Sequence, residues 1–136
     1  MPIFATTPFT RPPKLSSATI AIVTTAGLHV ADDRRFTGQG DESFRIITGR
    51  NNRLVSSHFS PNWDRSGLLT DINVAYPIDR LVEMEAEGAI GAVSPVHVSF
   101  MGALGETMSA IKLDTGPAAG RVLVDAGVDI VLLTPV

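Results

Sequence analysis

The chain has 136 residues, 44% of them hydrophobic and 18% charged, which is the make-up of one ordinary globular domain. Its 14 acidic against 11 basic residues give a net charge of −3, so there is no electrostatic case for binding nucleic acid or an anionic membrane. It has no cysteine, which excludes disulfides, thiol catalysis and thiolate metal sites in this stretch, and no apolar run is long enough for a membrane span.

Residues 1–17 carry Pro2, Pro8, Pro12 and Pro13 among Thr and Ser, and predict an extended arm rather than a helix. Ile3, Phe4 and Phe9 give that arm something to pack. The start lacks a basic segment followed by an apolar core, so it does not read as a secretory signal, and a cytoplasmic location is the default expectation. Residues 18–136 read as a single α/β domain. Ala18 to Thr25 is an uninterrupted β-branched run and predicts a strand ended by Ala26-Gly27. Thr25 stands at that strand-to-loop switch, where ligand atoms can approach the backbone. Neither GxGxxG nor a P-loop follows it, so a nucleotide site is disfavoured.

Residues 28–43 are polar, with Asp32, Asp33, Arg34 and Arg35 in a row, and predict a solvated loop. Phe44 to Thr48 predicts a second strand, and Leu54-Val55 the start of a third apolar piece. Residues 56–76 predict a long loop holding His58, Trp63, Asp64, Asp71 and Asn73; polar and aromatic groups gathered on a long loop favour a functional role. Tyr76-Pro77 sets a helix start, since proline has the helical φ and lacks a donor that would go unpaired there. Ile78, Leu81, Val82, Glu85 and Ala86 then fall at helical spacing, and Gly88 ends the helix. Ala89 to Val93 predicts a buried strand, releasing His97 and Ser99 near its carboxyl end, where open α/β sheets place ligands. Beyond it, a short helix over 103–113, a break at Asp114-Thr115-Gly116-Pro117 and a second helix to Ala126 are expected. Val128 to Leu133 predicts a buried final strand. The alternation of strand and helix predicts an α/β fold: a mostly parallel sheet with helices on both faces, in a flavodoxin- or Rossmann-like three-layer arrangement.

Three chemistries are open on these residues. His58, Asp64, Asp71 and His97 could supply N and O ligands to a divalent ion, but their spacing matches no standard metal motif. His58 and His97, with Ser56, Ser57 and Ser99 nearby, could move protons at neutral pH, without the GxSxG elbow of a serine hydrolase. Arg80 either pairs locally with Asp79 or holds a substrate carboxylate with its forked donors.

The run His58…Asp71-x-Asn73…Tyr76-Pro77-Ile78-Asp79-Arg80-Leu81…Glu87-Gly88-x-Ile90-Gly91…His97-x-Ser99-Phe100-Met101-Gly102 resembles the selenoprotein B family. That family comprises the substrate-reducing subunits of glycine, sarcosine and betaine reductases and the related D-proline reductase subunit. The last strand and Thr134-Pro135 are similar to it too, so the likeness spans about Val23 to Val136. In that family the strand runs into a redox centre, a selenocysteine or cysteine followed by another cysteine. This sequence stops at Val136, which is open to three explanations: a UGA selenocysteine codon taken as a stop, a polypeptide cut at that point, or a homologue without the centre.

The resemblance implies reductive cleavage of an amino acid or amine derivative by the full-length form. Electrons would come from a thioredoxin-like donor or partner reductase subunits, within an oligomer, and this cysteine-free chain would be inactive alone. The resemblance assigns no residue roles here; from the residues themselves, His58 and His97 are expected as proton donors or positioning groups, and Thr25, Asp71, Asn73, Arg80 and Ser99 as substrate-side residues, with no metal or other cofactor in this chain. A non-catalytic interaction subunit and a metal-dependent hydrolase are the alternatives. The reductase reading requires the final strand to deliver Val136 next to the imidazole-bearing loops.

Overall fold

The computed structural model describes residues 10–49 and 53–136; most of the Pro-rich arm therefore lies outside the described residues. Residues 10–14 are exposed and lead through a single 3₁₀ turn, Leu15–Ser17, into the first strand.

Strand β1 (Thr19–Thr24) is the centre of the sheet. On one side it pairs in parallel first with β5 (Ala92–Val93) and then with β6 (Val96–Phe100). On the other it pairs in parallel with β7 (Ile130–Thr134), from Ile20↔Ile130 to Thr24↔Thr134. Strand β3 (Phe44–Thr48) closes the far edge antiparallel to β6. A separate antiparallel pair joins β2 (Leu28–Val30) to β4 (Leu54–Ser56). The sheet is thus mostly parallel, as the sequence predicts, with β3 antiparallel beside β6 at one edge.

Alternate residues of β1 feed two cores, as the two-residue period of a strand requires. Ile20 and Ile22 join Ile78 and Leu81 of helix α2 (Ile78–Ala86), with Tyr76, Ile90 and Val93. Ala21 joins Val98, Phe100 and the Ala119 and Leu123 side chains of helix α3 (Gly116–Asp125). Each large aliphatic residue fully buried this way contributes about 1.5–3 kcal/mol. Glu85 stands on the inward stripe of α2 because its carboxylate accepts the Val93 N–H, at 3.1 Å. Gly88, at φ +72°, ends the helix as the sequence predicts.

Three expectations need correction. The single strand expected over Ala89 to Val93 is shorter and broken from β6 at Ser94-Pro95, where proline cannot donate to a ladder. The break expected at Asp114 to Pro117 is absent: a wide π-turn (Ile111–Thr115) runs into α3, and its looser spacing tolerates the missing Pro117 N–H. Strand β7, expected to be buried, is an edge strand among the described residues, with Val131, Leu132 and Leu133 exposed. The long loop also contains helix α1 (Ser66–Thr70) and a 3₁₀ turn (Ile72–Val74).

Candidate functional site

The carboxyl ends of β1, β6 and β7 meet at one place, the position where parallel sheets present ligand-facing groups. Thr25 N–H bonds Thr134 O at 3.2 Å, and Gly27 N–H bonds Phe100 O at 2.9 Å. The Thr24 and Thr134 hydroxyls both donate to Ala75 O, at 2.9 and 2.8 Å, tying the ends of β1 and β7 to the turn before α2. Beyond them, Thr25 Oγ1 accepts the Val136 N–H at 2.9 Å and lies 3.4 Å from Val136 O. Thr25 therefore fixes the backbone of the last residue.

His58 reaches the same place from its loop. Gly27, at φ +60°, lets the loop approach: a Cβ there would lie 3.0 Å from His58 N. Ser57 N–H bonds Gly27 O at 2.9 Å, and Ser56 Oγ donates to Ala26 O at 2.8 Å. The imidazole is buried and stands edge-on to Trp63, with ring centroids 4.6 Å apart. Its Nδ1 accepts the Ser60 N–H at 3.2 Å, which places the proton of the neutral ring on Nε2. Burial, and then the positive charge of Arg65, hold the His58 pKa below its ordinary value, so the neutral form prevails at pH 7.

Nε2 of His58 is buried and makes no hydrogen bond among the described residues. It looks into the space above Gly102. A Cβ on Gly102 would lie 2.7 Å from His58 Nε2, 3.0 Å from Thr25 O and 3.0 Å from Val136 O. The His58 Nε2 donor and two carbonyl oxygens thus close on Gly102, a position that suits glycine because it carries no side chain.

The other sequence-singled residues are placed differently. His97 is buried, and its Nδ1 accepts the Ile22 N–H at 2.9 Å. The kink at Ser94-Pro95 deprives that amide of a ladder carbonyl, and the imidazole fills the gap. The His97 ring stands perpendicular to Tyr76, centroids 5.4 Å apart. Ser99 is fully buried on β6, its hydroxyl 3.4 Å from Phe100 O. Asp71 caps the 3₁₀ turn by accepting Asn73 N–H at 2.9 Å, which holds its carboxyl below the usual range. The Asn73 side chain bridges Asp71 and Asp79, with Nδ2 2.8 Å from each carboxylate, and its Oδ1 accepts the Asp79 N–H. These residues build the start of α2. Arg80 is 60% exposed and pairs with Glu83 at 2.6 Å, one turn along the helix. Asp64 caps Ser66 N–H at 2.9 Å. Among the described residues, no three His, Asp or Glu side chains gather as a metal-binding group.

Several contributors escaped the sequence. Arg65 donates to the His58 and Ser60 carbonyls and lines a cavity of about 540 Å³ with Leu28, Leu54, Ser56, Leu68 and Ile72. Its size suits a small ligand. Arg45 is buried and organises the loop read as solvated: it donates to the Arg34, Arg35 and Phe44 carbonyls and lies 4.3 Å over the Phe36 ring. His29, fully buried, is held between Val30 O and Ser57 Oγ. A lone Arg in a β-run and a lone His after a strand carry no spacing signal; only Gly27 and Gly102, as turn glycines, were visible.

The family model for glycine/sarcosine/betaine reductase selenoprotein B matches residues 1–136. The D-proline reductase subunit gamma of Acetoanaerobium sticklandii is 40% identical over 130 residues, 94% of this chain and 52% of that protein. The chain therefore spans about half the length of that relative. No solved structure matches it.

Proposed function

Because the chain belongs to the glycine/sarcosine/betaine reductase selenoprotein B family, we propose that it serves as a subunit of a multi-subunit reductase acting on an amino acid or amine derivative. The observation that carries this reading is the meeting of the Val136 backbone with the unpartnered His58 Nε2 above Gly102. A selenocysteine or cysteine, the redox residue implied by the family, would find one N–H donor there, that of His58 Nε2. As a selenolate or thiolate it would supply the nucleophile and, with a neighbouring thiol, the electron pair for reductive cleavage.

The chain's own residues have definable tasks. Ser60 fixes the His58 tautomer, so that Nε2–H faces the site. His58 donates a hydrogen bond that favours an anion, and Trp63 with the buried loop keeps the imidazole neutral and water out. Thr25 aligns the incoming backbone through Val136. Arg65, unlike Arg80, faces a cavity, and its guanidinium suits a substrate carboxylate. Asp71 and Asn73 act through the α2 start, and His97 and Ser99 through the β1–β6 junction, as positioning residues. Residues 18–136 act as one α/β domain of the doubly wound three-layer kind, with α2 and α3 in its two outer layers. Partner subunits and a thioredoxin-like electron donor complete the enzyme, in the cytoplasm; no described helix is long and apolar enough to cross a membrane.

The test adds one cysteine after Val136 and measures its thiol pKa from the pH dependence of alkylation. A free thiol titrates near 8.5, and a hydrogen bond from His58 should lower this by about one unit. Replacing His58→Gln should move it, and replacing exposed Arg80→Gln should not. An ordinary pKa that ignores His58 would rule out the assignment.

A further inference from the structure

Strand β7 carries apolar side chains on both faces with little to cover them. Val131 and Leu132 are each 38% exposed and Leu133 is 67% exposed. Thr134 bonds Ala75 O and Ile130 packs on the α2 cluster, so the even-numbered residues face the α2 side. Val131 and Leu133 therefore face the α3 side, where their neighbour Ala21 joins the α3 cluster. No Lys, Pro or bulge lies within Ile130–Thr134 to protect this edge, whereas solvent-facing edges ordinarily carry such devices. A parallel strand apolar on both faces is the pattern of a sheet interior.

The backbone agrees. Asp129 N–H points inward to Thr19 O at 2.9 Å, so alternation turns the Leu132 amide outward, away from β1. The polypeptide path indicates how the edge is covered. The chain passes from β6 through α3 to β7, crossing β1 in one direction. A right-handed crossover continuing in that direction puts its helix on the same face as α3, over Val131 and Leu133.

We propose that β7 is an interior strand of the assembled subunit, paired along its free edge by a parallel strand from the half of the family polypeptide that this chain does not match, with that strand's crossover helix lying beside α3. The length supports this occupant: the D-proline reductase subunit gamma has nearly as much polypeptide outside the match as within it, the chain covering 52% of it. A second copy of the chain would instead pair β7 with β7 antiparallel about a two-fold axis, as an isologous contact demands.

Amide hydrogen exchange on β7 tests this. The 136-residue chain is measured alone, mixed with the unmatched half of the Acetoanaerobium sticklandii subunit, and fused to it. In the fusion or the mixture, the Leu132 amide should slow by about 100-fold or more relative to the lone chain. Leu133→Lys should abolish that slowing while leaving the lone chain's urea midpoint unchanged, since the position is exposed. Protection of Leu132 in a self-associated lone chain would overturn the proposal in favour of a second copy. A fusion whose added half is itself protected, yet whose Leu132 exchanges as in the lone chain, would overturn it outright. Neither outcome alters the thiol titration above, so the two proposals stand or fall separately.

Discussion

Gly102→Ala probes the space on which the functional reading depends. The Gly102 backbone is not in the left-handed region, so alanine incurs no conformational penalty there and the cost is steric. The new methyl meets two backbone carbonyls at 3.0 Å and the His58 ring at 2.7 Å, and none is the tip of a free side chain. Overpacking of this kind costs about 1–3 kcal/mol. Restricting the unfolded chain returns about 0.4–1 kcal/mol, leaving a net loss of about 1–2 kcal/mol. Gly105→Ala is the control, because nothing lies within 4 Å of a Cβ there; it should show only the small gain. The single tryptophan, Trp63, stands against His58, so its fluorescence in urea follows both unfolding and any local shift of the ring. Adding His58→Ala should recover part of the loss by removing the shortest contact. If Gly102→Ala were as stable as Gly105→Ala, the space would be larger than described and the convergence of Val136 with His58 would be wrong.

Three further outcomes are expected. Arg45→Lys should cost about 3 kcal/mol in urea unfolding and release the 31–43 loop to protease, because lysine cannot reproduce the forked bonds to Arg34, Arg35 and Phe44 or the stacking on Phe36; a midpoint unchanged from wild type would show that the loop stands without it. Tyr76→Phe should raise stability by about 1 kcal/mol, since the Tyr76 hydroxyl is buried with no hydrogen-bond partner among the described residues and burial pushes its pKa up; a loss of that size would reveal a partner. His58 is held below its ordinary pKa of 6.5, so the unfolded chain binds its proton first, and stability contributed by the neutral ring is lost as pH falls below about 6.5 toward the folded value. Urea midpoints between pH 7.5 and 5 should fall more steeply for wild type than for His58→Gln, and parallel slopes would contradict the buried, neutral assignment.

What was legible in the sequence followed from local rules. The β-branched run gave β1, Pro77 and Gly88 bracketed α2, and the family blocks around Tyr76-Pro77 and Phe100-Met101-Gly102 fell at the start of α2 and the end of β6. His58 and Thr25 were singled out from their loop and strand-end positions, and the structure brings these two together. What stayed hidden was set by tertiary partners. Nothing local says that Pro95 would strand the Ile22 amide and draw the His97 ring into the ladder. Nothing local turns Arg80 outward to Glu83 while Arg65, six residues before the Asp71 capping network, turns toward a cavity.

The polar residues divide on a physical criterion. A buried imidazole whose acceptor nitrogen already takes a backbone N–H has a structural use, as His97 does. His58 has the same arrangement at Nδ1, yet its remaining nitrogen is buried beside a glycine and makes no hydrogen bond among the described residues. Leaving such a group unpaired costs about 1–3 kcal/mol, a penalty that folding alone gives no reason to keep. A second group that accepts this hydrogen bond would offset that cost, and in the proposed reductase that part falls to a redox residue presented beside Val136, whose carbonyl lies 3.0 Å from where a Gly102 side chain would start.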